Sequence, residues 1–153
     1  MNGKIFIREY KKSDCREITE LFYNTIHSIN AKDYSEKQLD VWAVKNPDIQ
    51  KWDESLKEHF SFTAVKDNLI VGFGDIDKTG YLDRLYVHKD YQGMGIATAL
   101  CDKLESMVQG KITVHASVTA KPFFEKRGYK AIKKQQVERQ KILLTNFIME
   151  KLR

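Results

Sequence analysis

Gln92, Gly93, Gly95 and Ala97 lie where the apolar run Leu85-Tyr86-Val87 gives way to a run of small and aliphatic residues, Ile96 to Leu100. A strand, a glycine-bearing loop and a helix in that order make an arrangement that binds phosphate. The first amides of the helix have no acceptor within it, and the helix dipole favours an anion at that end. Glycines let the main chain approach the anion and expose successive N–H groups to it. Two familiar nucleotide loops do not fit. A P-loop needs Gly-Lys-Ser/Thr where the helix opens, and none stands there. A dinucleotide loop needs a further glycine where Thr98 stands and an acid about 20 residues on, but Val114 to Val118 holds none.

The elements that must hold this loop follow from periodicity. Lys4 to Tyr10 alternates, with Ile5 and Ile7 on one face, which predicts a strand. Ser13 is placed as a helix N-cap, with Asp14 and Glu17 in the first turn and Ile18, Leu21, Phe22, Ile26 and Ile29 as the buried stripe. Ser35 and Gln38 have capping-box spacing and open a second helix carrying Leu39, Val41, Trp42 and Val44. Asn46-Pro47 interrupts it. A short third helix is placed at Trp52 to His59. Strands at Phe60–Lys66 and Leu69–Asp77 flank an Asp67-Asn68 turn. After a turn at Lys78-Thr79-Gly80, the strand Tyr81–His88 leads into the loop. The helix Ile96–Val108, the strand Ile112–Ser117 and the helix Thr119–Arg127, stopped by Gly128, come next. Strands at Tyr129–Val137 and Ile142–Lys151 close the chain. With no repeat, linker or low-complexity segment, the pattern predicts one mixed α/β domain over residues 1–153.

Bulk properties agree and exclude several classes. A chain of 153 residues has the size of one domain, and buries about 70% of its unfolded surface. Its hydrophobic fraction of 42% and charged fraction of 31% are those of a water-soluble globular protein. Cys15 and Cys101 fall far apart in helical patterns and read as buried thiols of a reducing compartment. No Cys/His cluster has metal-ligand spacing, so no metal is expected. Met1 to Arg8 lacks the apolar run of a signal peptide, and no segment reaches about 18 consecutive apolar residues, so a cytoplasmic protein without membrane contact is expected. The net charge of +5 admits an anionic partner. The basic residues are interspersed with acids, however, and the densest group (Lys126, Arg127, Lys130, Lys133, Lys134) reads as a solvated face. With no recognised motif and no aromatic-basic stripe, nucleic acid is not an expected partner.

The pattern Q-x-x-G-x-A at Gln92, Gly95 and Ala97 resembles the Q/R-x-x-G-x-G/A signature of GNAT acetyltransferases, in its usual setting after a strand and before a helix. Ala120-Lys121-Pro122-Phe123-Phe124-Glu125-Lys126-Arg127-Gly128-Tyr129 resembles the second GNAT signature, a short helix ending in glycine and an aromatic. The element order agrees over nearly the whole chain. The similarity is closest to small bacterial GNAT proteins of unassigned substrate, including the Thr145-Asn146-Phe147 strand. The resemblance implies a single-domain α/β acyl-CoA N-acyltransferase (GNAT) fold, a mixed central sheet flanked by helices. It also implies acetyl-CoA as cosubstrate and transfer of its acetyl group to a primary amine of a small molecule or peptide, by direct attack in a ternary complex, in a monomer or homodimer.

Carried onto this sequence, the family pattern seats the CoA pyrophosphate on the amides of Gly93, Met94, Gly95, Ile96, Ala97 and Thr98, with Gln92 shaping the loop. Leu85, Tyr86 and Val87 would meet the pantetheine arm by main-chain hydrogen bonds. The Val87 amide would polarise the thioester carbonyl, and one such donor is typically worth about 3 kcal/mol. Strand parity puts Tyr81, Asp83, Leu85 and Val87 on one face. GNAT enzymes often carry an acid on this strand, which makes Asp83 the candidate base and Tyr81 a second catalytic group. The alternative for Asp83 is a surface carboxylate paired with a nearby Lys or Arg.

The chain departs from the family at Phe123-Phe124, where a Phe-Tyr pair is common. Phe124 can pack on the pantetheine arm but cannot donate a proton. Another group or solvent then protonates the leaving thiolate, or it departs unprotonated. Thr119 stands near a family asparagine, as helix N-cap, CoA contact or both. His88 lies where a basic residue suits a pyrophosphate, while His59 and His115 read as strand-end histidines.

The acceptor site is expected between the first two helices and the last two strands, where Tyr23, His27, Tyr34, Trp42 and Trp52 are either pocket or core. Polyamines, amino acids and their derivatives, antibiotics and protein amines all stay open as acceptors. A non-catalytic acyl-CoA-binding sensor is the rival reading.

Overall fold

The computed structural model describes residues 3–153, with Met1 and Asn2 of the expected domain and N-terminal stretch lying outside them. The elements are β1 (Phe6–Glu9), α1 (Cys15–Ser28), α2 (Glu36–Trp42), α3 (Ile49–Glu58), β2 (Phe60–Lys66), β3 (Leu69–Ile76), β4 (Tyr81–Val87), α4 (Ile96–Ser106), β5 (Ile112–Ser117), α5 (Lys121–Lys126), β6 (Lys130–Arg139) and β7 (Ile142–Lys151). Local chemistry accounts for most boundaries. The Ser35 hydroxyl accepts from the Gln38 main-chain amide at 3.2 Å, and the Gln38 side-chain Oε1 accepts from the Ser35 main-chain amide at 2.8 Å, closing the expected capping box. The third helix opens at Ile49, earlier than Trp52, because Asp48 caps it by accepting from the Lys51 amide at 3.2 Å. Ser13 does not cap α1. It lies inside a short 3-10 turn, Lys12–Asp14, which the neighbouring Asp14 anchors by accepting from Arg8 and from the Lys11 amide. Asp67 and Asn68 both take positive φ, 50° and 64°, as the tight β2–β3 hairpin requires.

The seven strands form one sheet in the order β1-β2-β3-β4-β5-β7-β6. Every neighbouring pair is antiparallel except β4 and β5. These two run parallel and pair only at Tyr81 with Thr113 and Leu82 with Val114. Beyond Leu82 they diverge, so the middle of the sheet is split at the C-terminal end of β4.

Helices cover both faces. On one, α4 buries Ile96, Leu100 and Leu104 against Val71, Ile76 and Leu82, with Phe124 of α5 in the same core. Gly72 and Gly74 allow that close approach. A Cβ on Gly72 would lie 2.9 Å from Ile96 Cγ2, and one on Gly74 would lie 2.8 Å from Leu104 Cδ1. On the other face Ile18 and Leu21 of α1 and Leu56 of α3 pack on Ile70 and Phe73. A smaller cluster of Ile26, Tyr34, Leu39 and Leu144 ties α1 and α2 to the β7 end. Cys15 and Cys101 are buried free thiols, as expected.

The basic C-terminal cluster is not wholly a solvated face. Arg127 turns inward to Glu105 at 2.8 Å and to Asp102 at 2.6 Å, and Lys151 and Tyr129 also bind the buried Glu105 carboxylate. These donors hold Glu105 below the usual carboxylate range against the opposing effect of burial. Removing one partner of a buried pair strands the other charges. Glu105→Ala is therefore expected to lower unfolding free energy by about 3 kcal/mol at neutral pH, read from urea denaturation. Because the folded pKa is depressed, the stabilisation is present above the unfolded carboxylate pKa and fades as pH falls through the folded value, so the gap between wild type and variant closes in acid.

Candidate active site

The β3–β4 register supplies the first feature of the site. Asp75 pairs with Arg84 and Ile76 with Leu82, leaving Asp83 as an extra residue on β4. This bulge breaks the parity that placed Tyr81, Asp83, Leu85 and Val87 on one face. Leu82, Leu85 and Val87 turn toward α4 and its core. Arg84 and Tyr86 turn toward α1 and α3, Arg84 donating to Ser55 and Tyr86 packing edge-on to Phe22. Tyr81 packs against His115, its ring 5.0 Å away. Asp83 sits at the kink, its side chain 34% exposed.

A cavity of about 470 Å³ occupies the split between β4 and β5. Leu85, Tyr86 and Val87 line it from β4, Ala116 and Ser117 from β5, and Phe123 and Phe124 from α5. Gln92, Gly93, Gly95, Ile96, Ala97 and Thr98 line it from the loop and the start of α4, and Asp83 and Thr119 border it as well. Met94, an exposed residue, is the one expected cofactor contact outside this lining, and the expectation there concerned its amide.

The loop is built for an anion. Gly93 and Gly95 take φ of 72° and 80°, which L side chains rarely adopt. Nothing lies within 4 Å of where a Cβ on either would stand, so both face open space. Among the described residues, none of the amides from Gly93 to Thr98 has a hydrogen-bond acceptor in the chain. The Gln92 carboxamide closes the loop by donating to the Val87 carbonyl at 2.8 Å. The Thr25 hydroxyl donates to the same carbonyl at 3.0 Å. The His88 amide donates to the Val71 carbonyl at 2.8 Å. By alternation along an antiparallel ladder, the Leu85 and Val87 amides point away from β3 and into the split. The residues fit a diphosphate with a long amide-bearing arm.

At the kink a charged cluster gathers. Asp75, fully buried, accepts from Arg84 Nε at 3.0 Å and lies 2.7 Å from His59 Nδ1. Asp83 Oδ2 lies 3.6 Å from Arg84 Nη2 and 4.0 Å from His59 Nδ1. Burial raises the Asp83 carboxyl, and Asp75 adds to this, while Arg84 and His59 oppose it. The His59 imidazole is raised, chiefly by its bond to Asp75. Burial, helped by Asp83, pushes the Tyr81 phenol up to about 12, so it keeps its proton at neutral pH.

His59 is thus no idle strand-end residue. Its partners are distant in sequence, and only the β2–β3–β4 register unites them. His59, Asp75 and Asp83 also bring possible metal-ligand atoms within 4.8 Å of one another, a cluster that linear spacing hid. The Arg84 guanidinium already bonds Asp75 and supplies the compensating positive charge.

Thr119 does not cap α5. The helix begins at Lys121, Ser117 Oγ accepts from the Ala120 amide, and the Thr119 hydroxyl donates to Asp33 at 2.7 Å. Tyr34, left open between pocket and core, is a brace. Its hydroxyl donates to the Thr145 carbonyl and accepts from the Val118 amide at 2.9 Å, joining the end of β5 to β7. Trp42 lines the cavity and packs on Tyr34. Phe124 is buried, and its ring packs edge-on to Tyr129. The Tyr129 hydroxyl is committed to Glu105. No helix among the described residues is long and apolar enough to cross a membrane.

Residues 30–151 match the family model described as an acetyltransferase (GNAT) domain. The chain is 34% identical over 148 residues to the N-acetyltransferase YafP of Escherichia coli K12, spanning 96% of this chain and 95% of that protein. It superimposes with a TM-score of 0.94 on a GCN5-related N-acetyltransferase of Rhodopseudomonas palustris, at 32% identity, covering 100% of this chain and 98% of the other. The PaiA N-acetyltransferase of Thermoplasma acidophilum, solved with coenzyme A, shares the fold with a TM-score of 0.79 at 19% identity, over 98% of this chain and 99% of that one.

Proposed function

Because the chain belongs to the GNAT acetyltransferase family, we propose that it transfers the acetyl group of acetyl-CoA to a primary amine by direct attack, with Asp83 as base. The observation that carries the reading is the split between β4 and β5, where one cavity joins the open loop amides to Asp83. The amides of Gly93 to Thr98 hold the pyrophosphate, with the start of α4 adding its dipole. The outward amides of Leu85 and Val87 hold the pantetheine arm, and the Val87 N–H also receives the developing oxyanion. Asp83 takes a proton from the acceptor ammonium, directly or through one water. The free amine attacks the thioester carbonyl, the C–N bond forms, the attacking nitrogen gives its second proton to solvent, and the C–S bond breaks with its electron pair passing to sulfur. Phe124 offers no proton, so the thiolate leaves as such or takes its proton from solvent. Holding both reactants in one site supplies much of the acceleration. A cytoplasmic setting suits this use of acetyl-CoA.

The absence of a hydroxyl at Phe124 favours one second reading, an acyl-CoA-binding sensor without turnover. Thiol release from acetyl-CoA in the presence of an amine panel separates the two. Amine-dependent release is expected. Tight acetyl-CoA binding with no release above the protein-free rate for any amine would establish the sensor instead.

A further inference from the structure

Around Asp83, two smaller pockets of about 180 and 310 Å³ adjoin the kink of β4 and share Trp42, Asp83 and Tyr86 with the cofactor cavity. Both are lined by Asp83, Tyr86, Trp42 and Arg139. Arg139 ends β6, where the β6–β7 hairpin brings it over the site, and among the described residues its guanidinium has no ion-pair partner. Its positive field reaches the Tyr81 phenol, where it opposes the effects of burial and of Asp83. The other guanidinium here, Arg84, is bonded to Asp75 and Ser55 and stacks on Trp52, so its donors are committed. The smaller pocket also contains Asn146, whose carboxamide oxygen is buried without a hydrogen-bond partner among the described residues.

These features select an acceptor by charge. A polyamine would need a carboxylate for each ammonium along its length. The two pockets offer one carboxylate, Asp83, beside Arg84, whose charge the buried Asp75 offsets, and Arg139, whose charge nothing offsets among the described residues. A cationic tail would be repelled there, and an anionic one would find Arg139 free to form a two-pronged bond. Asp83 and the unpaired Asn146 oxygen can both accept from an ammonium. Phe22, Trp42, Trp52 and Tyr86 give the pocket an apolar wall.

We infer that the acceptor is a small carboxylate-bearing primary amine of the α-amino-acid type, its ammonium at Asp83 and Asn146 and its carboxylate on Arg139. The inference rests on the proposed acetyl transfer and narrows its substrate. The test presents amino acids, their matched carboxamides and linear polyamines with acetyl-CoA to wild type and to Arg139→Gln, and follows thiol release. At least one aromatic or aliphatic amino acid is expected to react with kcat/KM at least tenfold above its carboxamide, mainly through KM. Arg139→Gln is expected to erase that preference while leaving acetyl-CoA affinity unchanged. Greater activity with polyamines or carboxamides, a preference that survives in Arg139→Gln, or no reaction with any amino acid by protein that binds acetyl-CoA would overturn the inference. Failure to bind acetyl-CoA in calorimetry would instead defeat the acetyl-transfer reading on which it stands.

Discussion

Acetyl-CoA titrated into the wild-type protein is expected to bind in the micromolar range, about −8 kcal/mol, and Gly95→Glu is expected to give no measurable heat. Two effects of the substitution add. At φ 80° any side chain meets left-handed strain, about 1–2 kcal/mol for an L-residue. The larger effect is electrostatic. The Cβ would enter open space, so the new carboxylate can swing over the unpartnered amides at the head of α4. A fixed negative charge there occupies the anion site and repels a pyrophosphate. Gly95→Ala carries the strain without the charge and is expected to weaken binding while retaining it. Thermal denaturation of both variants checks that the fold persists. If Gly95→Glu binds as well as wild type, the pyrophosphate does not sit on this loop. If the wild type fails to bind, the acetyltransferase and sensor readings fall together.

The glycine loop proposed to hold the cofactor was legible because its determinants are local. Gln92, Gly93, Gly95 and Ala97 are consecutive or nearly so, and positive-φ glycines before an amphipathic helix leave a mark in sequence whatever packs around them. The same holds for the Ser35–Gln38 box and the Asp67-Asn68 turn. The charged cluster proposed to serve the acceptor was poorly legible because it is assembled across the sheet. His59, Asp75, Asp83 and Arg84 come from three strands or their ends, and nothing in their spacing announces that Asp75 is buried between His59 and Arg84. The parity argument failed to keep Tyr81 and Asp83 on the face of Leu85 and Val87 because a bulge inserts one residue, and a bulge with no glycine or proline to mark it is invisible to alternation. Ser13 and Thr119 have the residue types of caps, yet the N-cap positions of α1 and α5 fall on Asp14 and Ala120, and neither helix start takes a side-chain cap bond. Arg127 looked like one more surface cation until Glu105, on another helix, drew it in.

Asp83→Asn is expected to reduce kcat by about 100-fold or more, the usual contribution of a positioned general base, while acetyl-CoA affinity stays unchanged. The amide keeps the size of the carboxylate and the bulge, so lost activity with an intact fold isolates the proton acceptor. The pH profile makes the test sharper. A base works only when deprotonated, and burial, with help from Asp75, raises the Asp83 pKa. The acid limb of kcat/KM should therefore fall at a pH above the ordinary carboxylate range of about 4, and that limb should vanish in Asp83→Asn. His59 gives the sign of a further shift. Protonated, it lowers the Asp83 pKa by its charge, so His59→Gln should move the acid limb upward in pH without abolishing turnover. A residue that merely braces the strand would lower stability and leave the limb where it was. Should Asp83→Asn retain kcat within about threefold, far less than a general base contributes, Asp83 is the surface partner of Arg84. The proton then leaves the amine by solvent alone, and the kink in β4 serves only to open the split that holds the thioester.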